Sequence, residues 1–242
     1  MRALTCLFGL WLFLSAHVSL VFARSGAAHA GFDVELDALA FLPEPPALTS
    51  ALFLHDKELY ELGKSQRGSQ RASQAARDAD QRLLPELFSE AFGCSISQET
   101  LPVLYAFLRR LRKSFGKTVR RVKKTYERLR PYTLYGDATC YPETEAVLRQ
   151  QSSYPSGHSA QGWGMALVLS EINPERAEQI LARGLQFGQS RVICGYHWQS
   201  DVEAGRLLAS AIVARLHANA VFLAELEAAR LEFARWQKAQ KP

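Results

Sequence analysis

Cysteine is scarce in this sequence: four residues in 242, too few for a disulfide-built scaffold. No H-E-x-x-H and no paired C-x-x-C is present, so the usual zinc-ligand spacings are missing. No stretch alternates apolar and polar residues at a period of two, and no Gly-rich strand–turn–helix segment occurs. These absences argue against sheet-based folds and dinucleotide-binding units. Beyond the first 23 or so residues, no run reaches the ~18 apolar residues needed to cross a bilayer. What remains is a single all-α domain without internal repeats, spanning 31–242.

The N-terminus is different in kind. Arg2 precedes an apolar run from Leu4 to Phe22, and Val21-Phe22-Ala23 and Ala28-His29-Ala30 both have the form cut by signal peptidase. The expectation is a signal peptide over 1–23, with cleavage as late as 30, and a mature protein with no membrane segment; a retained anchor is the alternative. Hydrophobic residues make up 48% and charged residues 22%, an ordinary globular composition. The net charge of +5 is concentrated: eleven Lys or Arg stand between Arg109 and Arg130 against one acid, Glu127. Such a run serves as a solvated helix face, as a nucleic-acid patch, or as a field that draws in anions.

The helical pattern is uneven. A Pro-rich stretch, Phe41 to Pro46, cannot be helical in its middle. Helices are expected around Leu52–Leu62 and, as a surface helix with little apolar face, over Lys64–Arg82. Leu101, Leu104, Tyr105, Leu108 and Leu111 recur at three- and four-residue steps; that helix is interrupted at Gly116 and stops before Pro131. Residues 131–157 read as a long ordered loop, the kind that is usually functional. Further helices are expected over His158–Ser170, from Asn173-Pro174-Glu175 onward, over Trp198–Leu216 and over Ala220–Gln237. On the last, Phe222, Leu223, Leu226, Leu231, Phe233 and Trp236 serve either core or interface.

Three segments carry candidate chemistry. In Lys123-x6-Arg130-Pro131, a spacing of seven is close to two helical turns and puts both cations on one face. Pro155-Ser156-Gly157-His158 stands where a loop becomes a helix: Ser156 can cap, Gly157 admits close approach of an anion, and the helix N-terminus offers free N–H groups. In Ser190-Arg191-x5-His197-x3-Asp201, a carboxylate four residues on can fix the imidazole tautomer and leave the other nitrogen as nucleophile or metal ligand. Arg191 adds a planar fork for two phosphate oxygens.

Taken in this order, the segments resemble the phosphatidic-acid-phosphatase type 2 superfamily. Ser153 to His158, Gly188 to Gly195 and His197 to Val202 further resemble the class A bacterial non-specific acid phosphatases, as do Ser50, Phe53, Leu54, Asp56 and Tyr60 after the Pro-rich opening. Ser152 and Ser159 depart from that class, which has Gly and Thr there. The resemblance implies an all-helical domain of the phosphatase and vanadium haloperoxidase type, hydrolysing phosphomonoesters, nucleotides included, without cofactor or metal. It implies His197 as nucleophile, Asp201 as its orienting carboxylate and His158 as general acid then base. Lys123, Arg130, Ser156, Gly157 and Arg191 would hold the phosphoryl oxygens. It also implies a homo-oligomer and a periplasmic location, with no dedicated nucleic-acid partner. Haloperoxidases are longer chains, a lipid phosphatase needs several membrane helices, and a mere phosphate binder has no use for the His197–Asp201 pair. Of Cys94, Cys140 and Cys194, the expected pair is Cys94 with Cys140, because Cys194 falls in a segment read as buried beside the site.

Overall fold

A computed structural model describes residues 30–241. The expected signal segment lies outside the described residues, apart from Ala30. The elements are α1 (Ala51–Ser65), α2 (Gln70–Arg77), α3 (Ser89–Phe92), α4 (Pro102–Ser114), α5 (Gly116–Tyr126), α6 (Pro131–Tyr135), α7 (Glu145–Leu148), α8 (Gly157–Ile172), α9 (Ala177–Ile193), α10 (Gln199–Leu216) and α11 (Ala220–Gln240). Among the described residues there is no strand.

Helix α8 is the axis of the molecule. Its residues are apolar or small nearly all round, and such a helix is stable only when enclosed. It packs against α9 on one side and α10 on the other, with α4 and α11 closing further sides. Met165, Val168 and Leu169 of α8 meet a core that includes Leu104, Leu108 and Leu111 of α4, Phe187 of α9, Leu208 and Ile212 of α10, and Phe222 of α11. The N-terminal stretch adds Phe32, Val34, Ala38 and Leu42 to the same core.

Caps fix where the helices begin. Asn219 accepts from the N–H groups of Val221 and Phe222 at the start of α11. The Glu232 carboxylate accepts from Val103 and Leu104, capping α4 from α11 across the core. On α11, Phe222, Leu226 and Phe233 are buried and Trp236 packs on the core, whereas Leu223 and Leu231 face solvent.

Three expectations need correction. The Lys64–Arg82 stretch is not one surface helix: α2 covers only Gln70–Arg77, and its Ala72 and Ala75 are buried where it closes against α9. Small side chains, not a wide apolar face, permit that approach. The 131–157 loop holds α6, a 3-10 turn at Pro142–Thr144 and α7. The disulfide joins Cys140 to Cys194, with Cα atoms 4.8 Å apart, and leaves Cys94 free. Cys194 is indeed buried, but Cys140 lies on the loop folded over it, so burial favours this pair instead of excluding it. The bridge ties the 131–148 segment to the end of α9.

Candidate active site

The α10 helix starts with Trp198 as its N-cap, so His197 stands just before the helix and Asp201 in its first turn. The Asp201 Oδ2 accepts from the Trp198 backbone N–H at 2.9 Å and lies 3.3 Å from His197 Nδ1. A carboxylate only accepts, so Nδ1 carries the ring proton and Nε2 presents its lone pair. Arg130 Nη1 approaches that Nε2 to 3.2 Å. His197 is buried, at 2% exposure.

Lys123 and Arg130 do converge, but not as two residues of one helix face. Helix α5 ends at Tyr126, and Glu127 adopts φ 44°, a left-handed conformation that is unusual for a non-glycine residue. The reversal brings the chain back, so that Arg130 caps α6 and still meets Lys123 over one loop. Lys123 Nζ donates to the carbonyls of Ser152 and Ser153 at 2.5 and 3.1 Å. Arg130 donates to the carbonyls of Leu148, Gln151, Ser152 and Tyr196. Neutral carbonyl dipoles hold these two cations in place without cancelling their charge.

Arg191 is 1% exposed, its guanidinium 4.3 Å from the Tyr196 ring centroid, and its Nε and Nη1 have no hydrogen-bond partner among the described residues. Unpaired buried donors on a cation are costly unless an anion is to receive them. Ser156 is the N-cap of α8, its Oγ accepting from Ser159 N–H at 3.3 Å and from Ser159 Oγ at 2.8 Å. Its own N–H donates to the Asp201 carbonyl at 2.9 Å, which locks the first turns of α8 and α10 together. Gly157 opens α8 and lines the cleft. His158 is half-buried beside it: Nε2 faces the Ala79 carbonyl at 3.1 Å and Nδ1 the Gln81 amide nitrogen at 3.0 Å. The carbonyl assigns the proton to Nε2, leaving Nδ1 as acceptor.

Electrostatics follow from this burial of like charges. Burial, then the Arg130 charge, lowers Lys123 from its ordinary 10.5 to about 7. Burial lowers Arg191 to about 10. His197 is held well below its ordinary range by burial and by Arg130, Lys123 and Arg191; His158 is lowered likewise by burial and Arg191. Both imidazoles are therefore neutral at neutral pH.

The cleft these residues open into has a volume of about 680 Å³ and is lined by His197, His158, Gly157, Lys123 and Arg130. Arg191 and Ser156 lie buried outside that lining. Two contributors escaped sequence reasoning. Gln81 belongs to a stretch read as a surface helix. Arg128 donates to Asp201 Oδ1 at 2.6 Å and to Asp56 Oδ2 at 2.7 Å, and Asp56 in turn accepts from the Ser200 N–H at 2.8 Å. Asp56 stood in the α1 resemblance, but nothing in its spacing pointed to Asp201. Of the two departures, Ser152 offers its carbonyl to Lys123 and Arg130 and accepts through Oγ from the Arg128 N–H at 3.1 Å, and Ser159 supplies the bond to Ser156.

The chain is similar to known proteins over most of its length. The sequence profile of the PAP2 superfamily matches residues 101–223, a span containing all three motifs. A non-specific acid phosphatase of Providencia stuartii is 48% identical over 206 residues, 84% of this chain and 83% of the relative. A non-specific acid phosphatase of Salmonella typhimurium is 44% identical over 79% of this chain and 78% of its own. An acid phosphatase of Zymomonas mobilis is 37% identical over 81% of this chain and 75% of its own. By sequence profile, by identity over most of its length and by its all-helical architecture, the chain belongs to the PAP2 superfamily.

Proposed function

We propose that this chain is an exported, metal-independent acid phosphatase that hydrolyses phosphomonoesters, nucleotides included, through a phosphohistidine. The observation that carries the reading is a buried His197 held between Asp201 at Nδ1 and Arg130 at Nε2, among cations that carbonyl groups or an aromatic ring support. An anion with several oxygens is the ligand such a site suits.

In the first step His197 Nε2 attacks phosphorus and the bond to the leaving oxygen breaks. Lys123, Arg130, Arg191, Ser156 and the Gly157 N–H receive the equatorial oxygens, which carry most of the developing charge. Asp201 stabilises the ring as it becomes cationic. His158 gives a proton from Nδ1 to the leaving alkoxide, the Ala79 carbonyl holding its other nitrogen. In the second step water attacks phosphorus, His158 takes its proton, and the N–P bond breaks to release phosphate and neutral His197. An alcohol in place of water gives phosphotransfer by the same route.

His158 must be charged to act first, and it is neutral beside the cations alone. A bound phosphate dianion offsets the surrounding cations and raises its pKa, so substrate binding itself arms the acid. This favours an acidic to neutral optimum. Export rests on the apolar Leu4–Phe22 run and its cleavage sites, and the periplasm on the resemblance to bacterial acid phosphatases. The exposed Leu52, Leu54 and Leu62 of α1 and Leu223 and Leu231 of α11 fit a homo-oligomer.

The test is hydrolysis of an aryl phosphate between pH 5 and 7 in EDTA, comparing wild type with His197→Ala. Activity should survive EDTA and fall by about 10³-fold or more in the variant. Loss of wild-type activity to EDTA would overturn the metal-free mechanism; a variant that retains turnover would remove His197 as nucleophile.

A further inference from the structure

The exposed face of the basic helix α5 is not uniformly paired. On one flank its cations meet acids: Lys117 with Asp33 at 3.9 Å and Arg121 with Asp37 at 3.4 Å. On the adjoining flank of the same exposed face, Arg120 and Lys124 stand four residues apart and among the described residues have neither an ion pair nor a side-chain hydrogen bond. Like charges at that spacing disfavour the helix. A local cost without a structural return marks a functional surface.

Arg120 and Lys124 do not lie at random relative to the catalytic cleft. A second cleft of about 590 Å³ adjoins it, lined by Arg120, Lys124, Arg128 and Arg149, with Glu127 as the single acid in its lining. The two clefts share Arg120, Lys123 and Gln151 as a common wall. Arg128 is committed to Asp56 and Asp201, and Arg149 reaches Glu145 at 3.9 Å. Arg120 and Lys124 are thus the cations left to serve a ligand that extends over the wall.

We infer that Arg120 and Lys124 form a subsite for a second phosphate of the substrate, so that the preferred substrates are compounds with two phosphate groups on one small scaffold. This inference rests on the phosphatase reading, because the scissile phosphate occupies the His197 cleft while the distal one crosses to α5. The distal group stays bound to exposed cations and takes no part in bond-making; it tightens binding of substrate and transition state alike, so it acts on KM.

The test compares butyl phosphate with butane-1,4-diol bisphosphate, which differ only in the second phosphate. The wild type should favour the bisphosphate by roughly tenfold in kcat/KM beyond the factor of two from its equivalent esters. Arg120→Gln/Lys124→Gln should abolish most of that preference through KM and change butyl phosphate turnover by less than about twofold. Lys117→Gln/Arg121→Gln removes the same charge from the paired flank of α5 and should leave the preference intact. No wild-type preference, or an equal loss in both double variants, would replace the subsite with a diffuse field. Failure of the wild type to hydrolyse butyl phosphate would instead remove the phosphatase reading, and the subsite with it.

Discussion

Asp201 binds three donors at once: the His197 ring, the Trp198 N–H and Arg128. Arg128 in turn spans two buried carboxylates, Asp201 and Asp56, with its side chain 8% exposed. A planar fork can serve both, whereas an ammonium cannot. Arg128→Lys should therefore lower kcat about tenfold while KM changes little, since Arg128 reaches the carboxylates and not the cleft that holds the phosphate; steady-state kinetics decide, and an unchanged kcat would sink the positioning role. Arg128 could not be told from its neighbours in sequence. It is one of eleven cations in the run, and the turn that swings it inward is built on Glu127 at φ 44°, where a glycine would have announced the reversal. Lys123 supplies a second prediction. Its folded pKa, about 7, lies below its ordinary 10.5, so the unfolded chain binds the extra proton between those values. Stability from this group therefore rises with pH across that window, and its penalty is fully present below pH 7. An anion bound beside Lys123 cancels that penalty, and it binds best where Lys123 is charged. Sulfate keeps its charge across this range, so its apparent affinity, read from thermal shifts, should be at least several-fold weaker at pH 8.5 than at pH 6. Lys123→Met should flatten that dependence; an equally steep dependence in the variant would assign it elsewhere.

The first turns of α8 and α10 work as one element. Ser156 N–H meets the Asp201 carbonyl, and Gly205 lets the helices come so close that an added Cβ would stand 2.5 Å from the Ser156 oxygen. Real Cβ atoms do not tolerate such an approach to backbone, so one helix must move. Gly205→Ala should cost about 1–3 kcal/mol, and near 25 °C, where it remains folded, lower kcat by at least tenfold. A variant with wild-type kcat would show that the helix register is unimportant. At this scale the sequence was legible where caps and periodicity coincide: α8, α10 and α11 begin within a residue of expectation, and the break at Gly116 is real. It was illegible where approach depends on small residues. Nothing in the polar composition of 64–82 announces that Ala72 and Ala75 dock and carry Gln81 to His158. Spacing also selected Lys123 and Arg130 for a reason the fold does not use, since the helix ends between them.

For the whole molecule, the cleft is assembled from segments far apart in sequence: Ala79 and Gln81, the α4–α5 region, the 141–151 segment, the start of α8 and His197. Their convergence depends on α8 being enclosed, which is why periodicity indicates an all-helical domain but not which loops meet. The Cys140–Cys194 bridge adds a covalent constraint to this assembly. It closes a ring of chain that contains α7, α8 and α9, and with them Ser156, Gly157, His158 and Arg191. The most exposed stretch of that ring, Arg149 to Gln151, lines the second cleft and reaches the shared wall through Gln151, and exposed loops of this kind are where proteases cut. A cut there opens the ring without dividing the molecule: both new ends remain attached through the sulfur atoms. An oxidised chain nicked at Arg149 is still one covalent species, whereas a reduced one is two fragments held by packing alone.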